Sequence, residues 1–575
     1  LTTILFFLPL LLAEHISGEY TRSISLVIMI TLLASWVLAL CVTPTLCYFF
    51  IRVKTVDGES SLSEKQNSRF YETYENGLHW ILSHKTIFLV AMLGILVFSL
   101  SGFKYVTQQF FPDSDRTQIM MYVDLPNGTS ALETNRQMLD IFKWLDDKNH
   151  FPEISSYSGY TGFNGPRFVL MLKPEDPADN KGFVVLNIKE GVSLDATVNK
   201  LHNGLINNFP NVSGRVKRMF AGPSDSSSIS IQVKGPDKDV INAKAKEIMA
   251  VLYQVPYTKN IRTDWENRIV KVKVKVDQHR ARRAGVTSDD ISTALQGFFD
   301  GVGVTEYRDG DDIIPVIFRA RKEERFNLDR LRTVSVFSNA TGLAIPLFQV
   351  ADLMPENQYA KIQREDLFSA VTVEASNTEM TAQDLQLLID DQIQALKADL
   401  PINHRIEYDG VIVQSLESQK ALSASMPLVI GLVLVLLVMQ FNSYRRAMII
   451  VLTIPLSLIG TVSGLLIMEA PFGFMVTLGI YSLAGIIINN GIVLIGRIDI
   501  ERSEGKSDYQ AIINSCMTRL RPITMTTVTT IMGLLPLMLN SESIFFGMAT
   551  VMAFGLGVGT VLTLGVVPVL YASFF

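Results

Sequence analysis

Cysteine is nearly missing from this chain, with three in 575 residues. Cys41, Cys47 and Cys516 lie in or beside long apolar runs, so no disulfide framework holds an extracellular domain together. The seven histidines are scattered without zinc-ligand spacing, which argues against a metalloenzyme. No GxxxxGK[ST] loop occurs, so nothing in the chain resembles a nucleotide site. A formal net charge of −5 and the lack of a basic, aromatic-interleaved stripe argue against a nucleic-acid partner. No cofactor is implied.

Charge is also unevenly placed. A stretch rich in Lys, Arg, Asp and Glu, roughly 107 to 412, is bracketed by long uncharged runs. Seven of these reach the ~18–20 residues a helix needs to cross a hydrocarbon core of ~30 Å. The expected spans are 22–52, 86–106, 415–444, 447–468, 470–498, 519–541 and 543–575. Residues 1–13 are apolar but too short to cross, and no basic leader marks them as a signal peptide. They read as part of a helix, and the chain as a fragment of a longer one. Basic residues set the orientation: Arg52, Lys54, His84, Lys85, Arg445, Arg446, Arg497, Arg502, Lys506, Arg519 and Arg521 all fall on one side when the chain is threaded through a membrane. That side is the cytoplasm, and 107–412 is an external head. Between the first two full spans, 59–83 carries Phe70, Tyr71, Tyr74, Leu78 and Ile81 at helical spacing. It reads either as an amphipathic helix on the membrane surface or as a connecting helix packed on the bundle.

The head has its own periodicity. Gln118–Leu125 alternates as a strand, Ser130–Lys148 is an amphipathic helix, Phe183–Ile188 is a strand, Leu194–Asn208 a helix, and a last strand lies near Val212–Phe220. This is the split βαβ module of the ferredoxin-like class, assigned to 113–224. A second module begins with strand Ser228–Lys234, helix Lys238–Tyr253 and strand Arg268–Val276. It resumes after an insert with strand Ala370–Ala375, helix Thr381–Leu396 and strand Arg405–Tyr408. Its expected extent is 225–276 and 363–412, with the insert at 277–362. The fold class is therefore a polytopic α-helical membrane protein with a large α+β head of two ferredoxin-like modules, one carrying an inserted subdomain.

Several motifs carry polar chemistry. Asn489 and Asn490 lie in an apolar run, where amides can exchange hydrogen bonds across a helix interface. Thr526, Thr527, Thr529 and Thr530 make a hydroxyl-rich segment, with Thr526 and Thr530 one turn apart; such hydroxyls hold a water wire or simply bond their own backbone. Gly159–Arg167 (GYTGFNGPR) reads as a loop between two strands. Gly301–Gly310 (GVGVTEYRDG) reads as a hairpin with Asp309-Gly310 at its turn.

The order and wording of five segments resemble the resistance-nodulation-division efflux permeases, in their hydrophobe/amphiphile (AcrB-like) branch. They are Gly18–Cys47 (GEYTRSISLVIMITLLASWVLALCVTPTLC), Phe110–Gly128 (FFPDSDRTQIMMYVDLPNG), Gln440–Pro455 (QFNSYRRAMIIVLTIP), Ile488–Ile495 (INNGIVLI) and Arg519–Pro536 (RLRPITMTTVTTIMGLLP). The resemblance covers the whole chain and implies the end of helix five through helix twelve of a twelve-helix permease. It makes 113–224 the first porter subdomain, 225–276 with 363–412 the second, and 277–362 a docking subdomain.

The family's proton-carrying aspartates lie on its fourth helix, outside this chain. Their partners are a lysine on helix ten and an arginine and a threonine on helix eleven. Arg519 and Thr526 match the last two, while Asn489, beside Asn490, stands at the lysine position, so the relay is either rewired or altered in its coupling. The alternative is that both asparagines only join helices. Gly162 within GYTGFNGPR resembles the flexible loop that separates the family's substrate pockets, with Tyr160 and Phe163 offering apolar contact; a plain turn is the alternative. Phe220 lies on the matching pocket wall, whose neighbours Lys217 and Arg218 would make it basic unless they point into solvent. The hairpin matches one that ties neighbouring subunits and the outer-membrane channel together, an ordinary surface hairpin being the alternative.

The resemblance implies a secondary active transporter, not an enzyme, that exports drugs or small amphiphilic compounds by proton antiport. It implies a homotrimer in the Gram-negative inner membrane, its head in the periplasm, working with a periplasmic adaptor and an outer-membrane channel. Two alternatives remain: a metal-ion exporter of the same superfamily, for which Met120, Met121, Met171 and Met219 show no ligand spacing, and a non-transporting partner or scaffold.

Overall fold

The computed structural model describes residues 1–50, 69–114, 116–169, 172, 176–222, 225–325, 328–540 and 544–575. It divides into two compact units, one of Leu1–Leu125, Thr129–Asp264 and Gln363–Phe575, the other of Pro126–Gly128 and Trp265–Ile362.

In the first unit seven helices are long and apolar enough to cross a membrane: Thr21–Phe50, Lys85–Tyr105, Val411–Phe441, Tyr444–Ile467, Phe474–Ser503, Asp508–Leu539 and Phe546–Phe574. Several outrun their apolar cores. The helix expected from 519 starts at Asp508, because backbone hydrogen bonds continue past the point where the side chains become charged. Small residues set the close crossings. A Cβ at Gly460 would stand 2.5 Å from the Phe554 carbonyl oxygen, and one at Gly555 would stand 2.3 Å from Leu483. Residues 1–13 form two short helices, Thr2–Phe6 and Leu8–Leu12, and the Thr3 hydroxyl donates to the Gly485 carbonyl at 3.5 Å.

Lys85, Arg446, Arg497, Arg502 and Lys506, five of the basic residues assigned to one side, make contacts near span ends, while Arg52 and Lys54 lie outside the described residues. Lys85 donates to the Ala572 carbonyl at 2.7 Å, Arg446 pairs with Asp499 at 2.9 Å, and Arg502 pairs with Asp508 at 2.6 Å. Tyr571 donates to Asp499 at 2.9 Å and accepts from Arg502 at 3.1 Å. Buried Glu501 is held by Arg497 and Lys506. Over Arg69–Ser83 the segment between the first two spans forms a helix that packs on the bundle: Leu78 and Leu82 are buried, and the Tyr74 hydroxyl donates to the Leu564 carbonyl at 3.0 Å. Phe70 and Trp80 are exposed on its other face. Residues 59–68 lie outside the described residues.

Two sheets stand beyond the spans in the same unit, one of four strands and one of five. The first runs Ile154–Thr161, Lys181–Ile188, Gln118–Asp124, Ser213–Arg218, all antiparallel, the order of a split βαβ fold. Helices Ala131–Leu145 and Leu194–Asn208 cover one face, burying Ile119, Met121, Val123, Met138, Ile141 and Leu201. Period-2 alternation leaves Met120, Tyr122 and Asp124 on the other face. The second sheet repeats the order with Thr258–Thr263, Phe368–Asn377, Ser228–Gly235 and Arg405–Gly410, extended by Gln363–Glu365. Its last strand runs straight into the span Val411–Phe441, so the second module and that helix share one continuous backbone.

One strand belongs elsewhere than expected. Arg268–Val276 pairs antiparallel with Ala351–Tyr359 in the second unit, and Thr258–Thr263 takes its place in the module. The Lys/Val alternation identified a one-sided strand correctly, but Val272, Val274 and Val276 pack on the core of the insert, beside Val286, Leu347 and Val350. The second unit therefore begins at Trp265 rather than 277. It carries a hairpin, Val302–Asp309 with Asp312–Phe318, whose register makes Gly310 and Asp311 the turn pair rather than Asp309 and Gly310. Both strands are exposed throughout.

Candidate functional site

Asn489, Asn490, Arg519 and the threonines at 526, 527, 529 and 530 sit on two neighbouring helices, Phe474–Ser503 and Asp508–Leu539. Asn489 and Asn490 lie halfway along Phe474–Ser503, Asn489 exposed and Asn490 half-buried. Arg519 and Thr526 are seven residues apart on Asp508–Leu539, a spacing that puts them within about 20° of one face; Thr530 lies close to the same line. Arg519 is half-buried, with its Nε shielded from solvent and without a hydrogen-bond partner among the described residues. Thr526 is exposed and its hydroxyl donates to the Ile523 carbonyl at 2.8 Å; that of Thr530 donates to the Thr526 carbonyl at 2.8 Å. In this state both take the backbone-bonding geometry. Thr527 turns inward and shares a 2.8 Å hydrogen bond with Thr560 of the last span. Among the described residues no hydrogen bond joins Asn489 or Asn490 to Arg519 or Thr526.

The helix carrying the asparagines is tied to the head. The Phe474 amide donates to the Phe110 carbonyl at 3.0 Å, the Phe472 amide to Thr107 at 2.8 Å and the Gln109 amide to Phe472 at 2.9 Å. Phe474 stacks on Phe111 at 5.3 Å between ring centroids. The chain leaving the span Lys85–Tyr105 for the first module is thus pinned to the start of the next-but-two span.

In the head, Tyr160, Phe163 and Phe220 converge. Tyr160 and Phe220 pack on a cluster of Met120, Tyr122, Phe183 and Met219, and the Phe163 ring lies 5.3 Å from that of Tyr160. Tyr160 is not in a loop: with Gly159 it belongs to the strand Ile154–Thr161, opposite Phe183. The loop starts at Gly162, whose φ is +85° and whose amide donates to the Lys181 carbonyl at 2.8 Å. Gly165 follows at φ +75°, and a Cβ there would come within 2.5 Å of Phe183.

Arg218 does not join this aromatic group. It shares the helix-covered face with Val216, pairs with Asp195 at 3.1 Å and donates to the Ser114 carbonyl at 3.2 Å. Lys217 points to the opposite face and pairs with Asp225 at 2.7 Å. The wall is therefore neither basic nor lined by solvated cations, because a carboxylate neutralises each charge. Burial alone would raise the pKa of Asp225; Lys217 and the Ser227 donors overcome it and bring it down to about 2. Asp113 goes the other way: burial and then the charge of Asp225 push it up to about 6, against Arg218.

An ionic cluster, illegible in the sequence, bridges the two modules. Asp124 of the first is buried against Lys181 and Arg215, each at 3.0 Å, and Arg262 of the second approaches it to 3.8 Å. Arg262 also pairs with Glu374 at 2.6 Å. Arg215 lies over the Tyr122 ring at 4.4 Å. Burial would raise the Asp124 carboxyl, but Arg215, Lys181 and Arg262 hold it below its ordinary value; Glu374 is held down similarly, chiefly by Arg262.

Membrane-length helices joined to two split βαβ sheets make up about half of a resistance-nodulation-division pump. Two crystal structures of a heavy metal efflux pump share this fold at a TM-score of 0.78 and 20% identity. Crystal form II covers 100% of this chain and 56% of that chain, and crystal form I 99% and 57%. The chain thus spans little more than half the length of the pump it matches, and at this identity the likeness establishes fold alone. The chain belongs to the AcrB/AcrD/AcrF family, whose model matches residues 1–575. This is a family of transporters, not enzymes, and the chain is a multi-pass membrane protein with α+β domains outside the spans.

Proposed function

We propose that this chain is the C-terminal half of a proton-driven efflux permease for small amphiphilic organic compounds, in the hydrophobe/amphiphile branch. The observation that carries the reading is the joint between Phe474 and Phe110. It links a helix bearing mid-span polar groups to the chain entering a head module that carries an aromatic cluster. Protonation in the bundle shifts Phe474–Ser503 relative to Asp508–Leu539; Asn489 and Asn490 exchange hydrogen bonds with the partner carboxylates, Arg519 supplies the cation and Thr526 a hydroxyl. The joint passes the shift to the first module, which moves against the second as the Arg262 clasp loosens. Tyr160, Phe163 and Phe220 give the substrate apolar contact, and the loop from Gly162 sets the passage between pockets. Alternating access of this kind needs the substrate to bind the two head states with different affinity.

The spans lie in the Gram-negative inner membrane with the head in the periplasm. The working unit is a homotrimer with a periplasmic adaptor and an outer-membrane channel, the exposed hairpin 302–318 facing those neighbours.

A second reading, metal-ion export, is favoured by two thioethers meeting in one cluster: Met120 and Met219 are both buried beside Tyr122, whose hydroxyl lies 3.9 Å from the Met120 sulfur. Their surroundings are aromatic, and Met121 faces the helix-packed core instead, which fits methionine as packing. Efflux assays of the full-length protein in pump-deficient cells separate the readings. Amphiphilic dyes leaving the cell, with no change in silver, copper or zinc tolerance, support the first; metal tolerance without dye efflux supports the second.

A further inference from the structure

His15 stands in the turn between the short helix Leu8–Leu12 and the span Thr21–Phe50. The turn is tight: a Cβ at Gly18 would collide with the Ala13 carbonyl oxygen, and the buried Thr21 hydroxyl donates to the Gly18 carbonyl at 3.3 Å. The helices before it are fixed to the bundle, where Phe6 is buried in one apolar cluster with Val429, Val433 and Leu437 of the span Val411–Phe441. Both ring nitrogens of His15 reach the second turn of that same span. Nε2 lies 3.2 Å from a Glu417 carboxylate oxygen, and Nδ1 lies 3.0 Å from the Ser418 hydroxyl. The imidazole is 13% exposed and Ser418 is buried, while Glu417 is open to water.

The bonding assigns the charge of the ring. A carboxylate accepts and cannot donate, so Nε2 carries a hydrogen. The Ser418 hydroxyl gives its own hydrogen to the Gln414 carbonyl at 2.6 Å, so its oxygen accepts from Nδ1. With both nitrogens donating, the ring in this geometry is an imidazolium. A neutral ring has a single N–H and leaves one of the two bonds unmade. Serine, histidine and glutamate also make up hydrolytic triads, but here the hydroxyl hydrogen lies on a backbone carbonyl rather than on the ring, so the contact is a tie and not an activated nucleophile. On the elements meeting at this turn the other charged side chains are Glu14, Glu19, Arg22 and Lys420, all exposed, and residues 1–13 carry none.

We propose that His15 is a positioning residue for transport: as an imidazolium it ties the second turn of Val411–Phe441 to the turn at 13–18, and loss of its proton releases that tie. The span it holds continues directly from Arg405–Gly410, the last strand of the second head module, with Gly410 at φ +65° making the join. The tie therefore sits where the backbone of that module enters the bundle. An imidazole ordinarily changes charge between pH 5 and 8, so the pH on the head side sets how firmly the module is anchored. The proposal uses none of the mid-span residues of the relay, and it rests on the efflux reading above only for its effect on transport.

The test is amide hydrogen exchange over residues 13–22 and 411–422 of the purified full-length protein in neutral detergent, at pH 5 and pH 8, with the intrinsic pH dependence of exchange divided out. In the wild type both segments should open about fivefold more at pH 8, the upper range for an ion pair open to water on one side. His15→Gln and Glu417→Gln should open to the same extent at both pH values, and His15→Arg, which keeps a cation at the turn, should restore protection at pH 8. Equal opening of the wild type at the two pH values, or a pH difference kept by both glutamine variants, overturns the tie. Efflux of a dye from cells then tests the role in transport: His15→Gln should differ from wild type at external pH 5, converge with it at pH 8 and stay sensitive to a protonophore. A difference that is absent, or the same at both pH values, overturns that role and leaves the tie as packing. If the wild type exports no dye, the amphiphile reading fails alone, and the same comparison is made on tolerance to silver, copper and zinc; export of neither class overturns the role in transport as well.

Discussion

The Phe474 amide donates to the Phe110 carbonyl across 3.0 Å, with the Phe474 ring stacked on Phe111. This places the first turn of the asparagine-bearing helix and the first residues of a head module in one rigid joint. Phe474→Ala leaves the amide bond but removes the buried ring, at a stability cost of about 3–5 kcal/mol. Transport should fall far more than ligand binding to the head, because the ring keeps the two segments moving together. Paired efflux and binding measurements on this variant read the difference.

The Arg262 clasp makes the two modules electrostatically dependent. Asp124→Asn should destabilise the protein by about 3 kcal/mol, the usual result of removing one member of a buried ionic group. Arg262→Met should cost less, since Asp124 keeps Lys181 and Arg215. Thermal transitions of both variants in one detergent settle the order.

Two aspartates predict opposite pH dependences. Asp225 has a folded-state pKa of about 2, below its ordinary value of 3.8, so its contribution to stability is complete above about pH 4 and lost as the pH falls towards 2. Asp113, raised to about 6, disfavours the folded state once ionised; its penalty grows from pH 4 to 6 and persists above. Asp113→Asn should therefore raise the thermal transition at pH 7.5 and not at pH 4. Asp225→Asn should lower it at pH 7.5.

Gly162 and Gly165 both hold positive φ, yet their surroundings differ. Among the described residues a side chain at Gly162 meets nothing within 4 Å, whereas one at Gly165 strikes Phe183. Asn, which tolerates the left-handed region, should be accepted at 162 with a changed substrate profile and rejected at 165 with loss of folded protein. Expression and dye-efflux profiles of the two variants check this.

On the helix Asp508–Leu539, adjacent threonines are expected to separate in role. Thr527→Val should cost about 0.6 kcal/mol through its bond to Thr560, the average for such bonds between spans. Thr526→Val should leave stability unchanged and reduce transport. A double-mutant cycle on Thr527 and Thr560, with efflux measured on Thr526→Val, reads both.

The fold was largely legible because its signals are local. Uncharged runs mark the spans, and alternation marks Gln118–Asp124 and Ser228–Gly235. Thr258–Thr263 (TKNIRT) was not legible: it is polar, half-buried throughout and without alternation, an edge strand held by its neighbour. The neighbouring Lys/Val alternation of Arg268–Val276 drew the assignment away from it, since period 2 says that a strand has one apolar face but not which sheet it joins. Tyr160 and Phe220 pack on one cluster, which no sequence pattern foretold, and the partners of Arg218 and Lys217 come from Asp195 and Asp225, whose positions only the folded chain brings near. The clasp joins residues 124, 181, 215, 262 and 374, and no sequence pattern connects these.

The most direct test of the account is efflux of an amphiphilic dye by the full-length protein in a pump-deficient cell, with and without a protonophore, and with Arg519→Ala alongside Asn489→Lys. The account predicts efflux that collapses with the proton gradient, is abolished by Arg519→Ala and is altered in its pH dependence by Asn489→Lys. Efflux that survives the protonophore and both substitutions would contradict it.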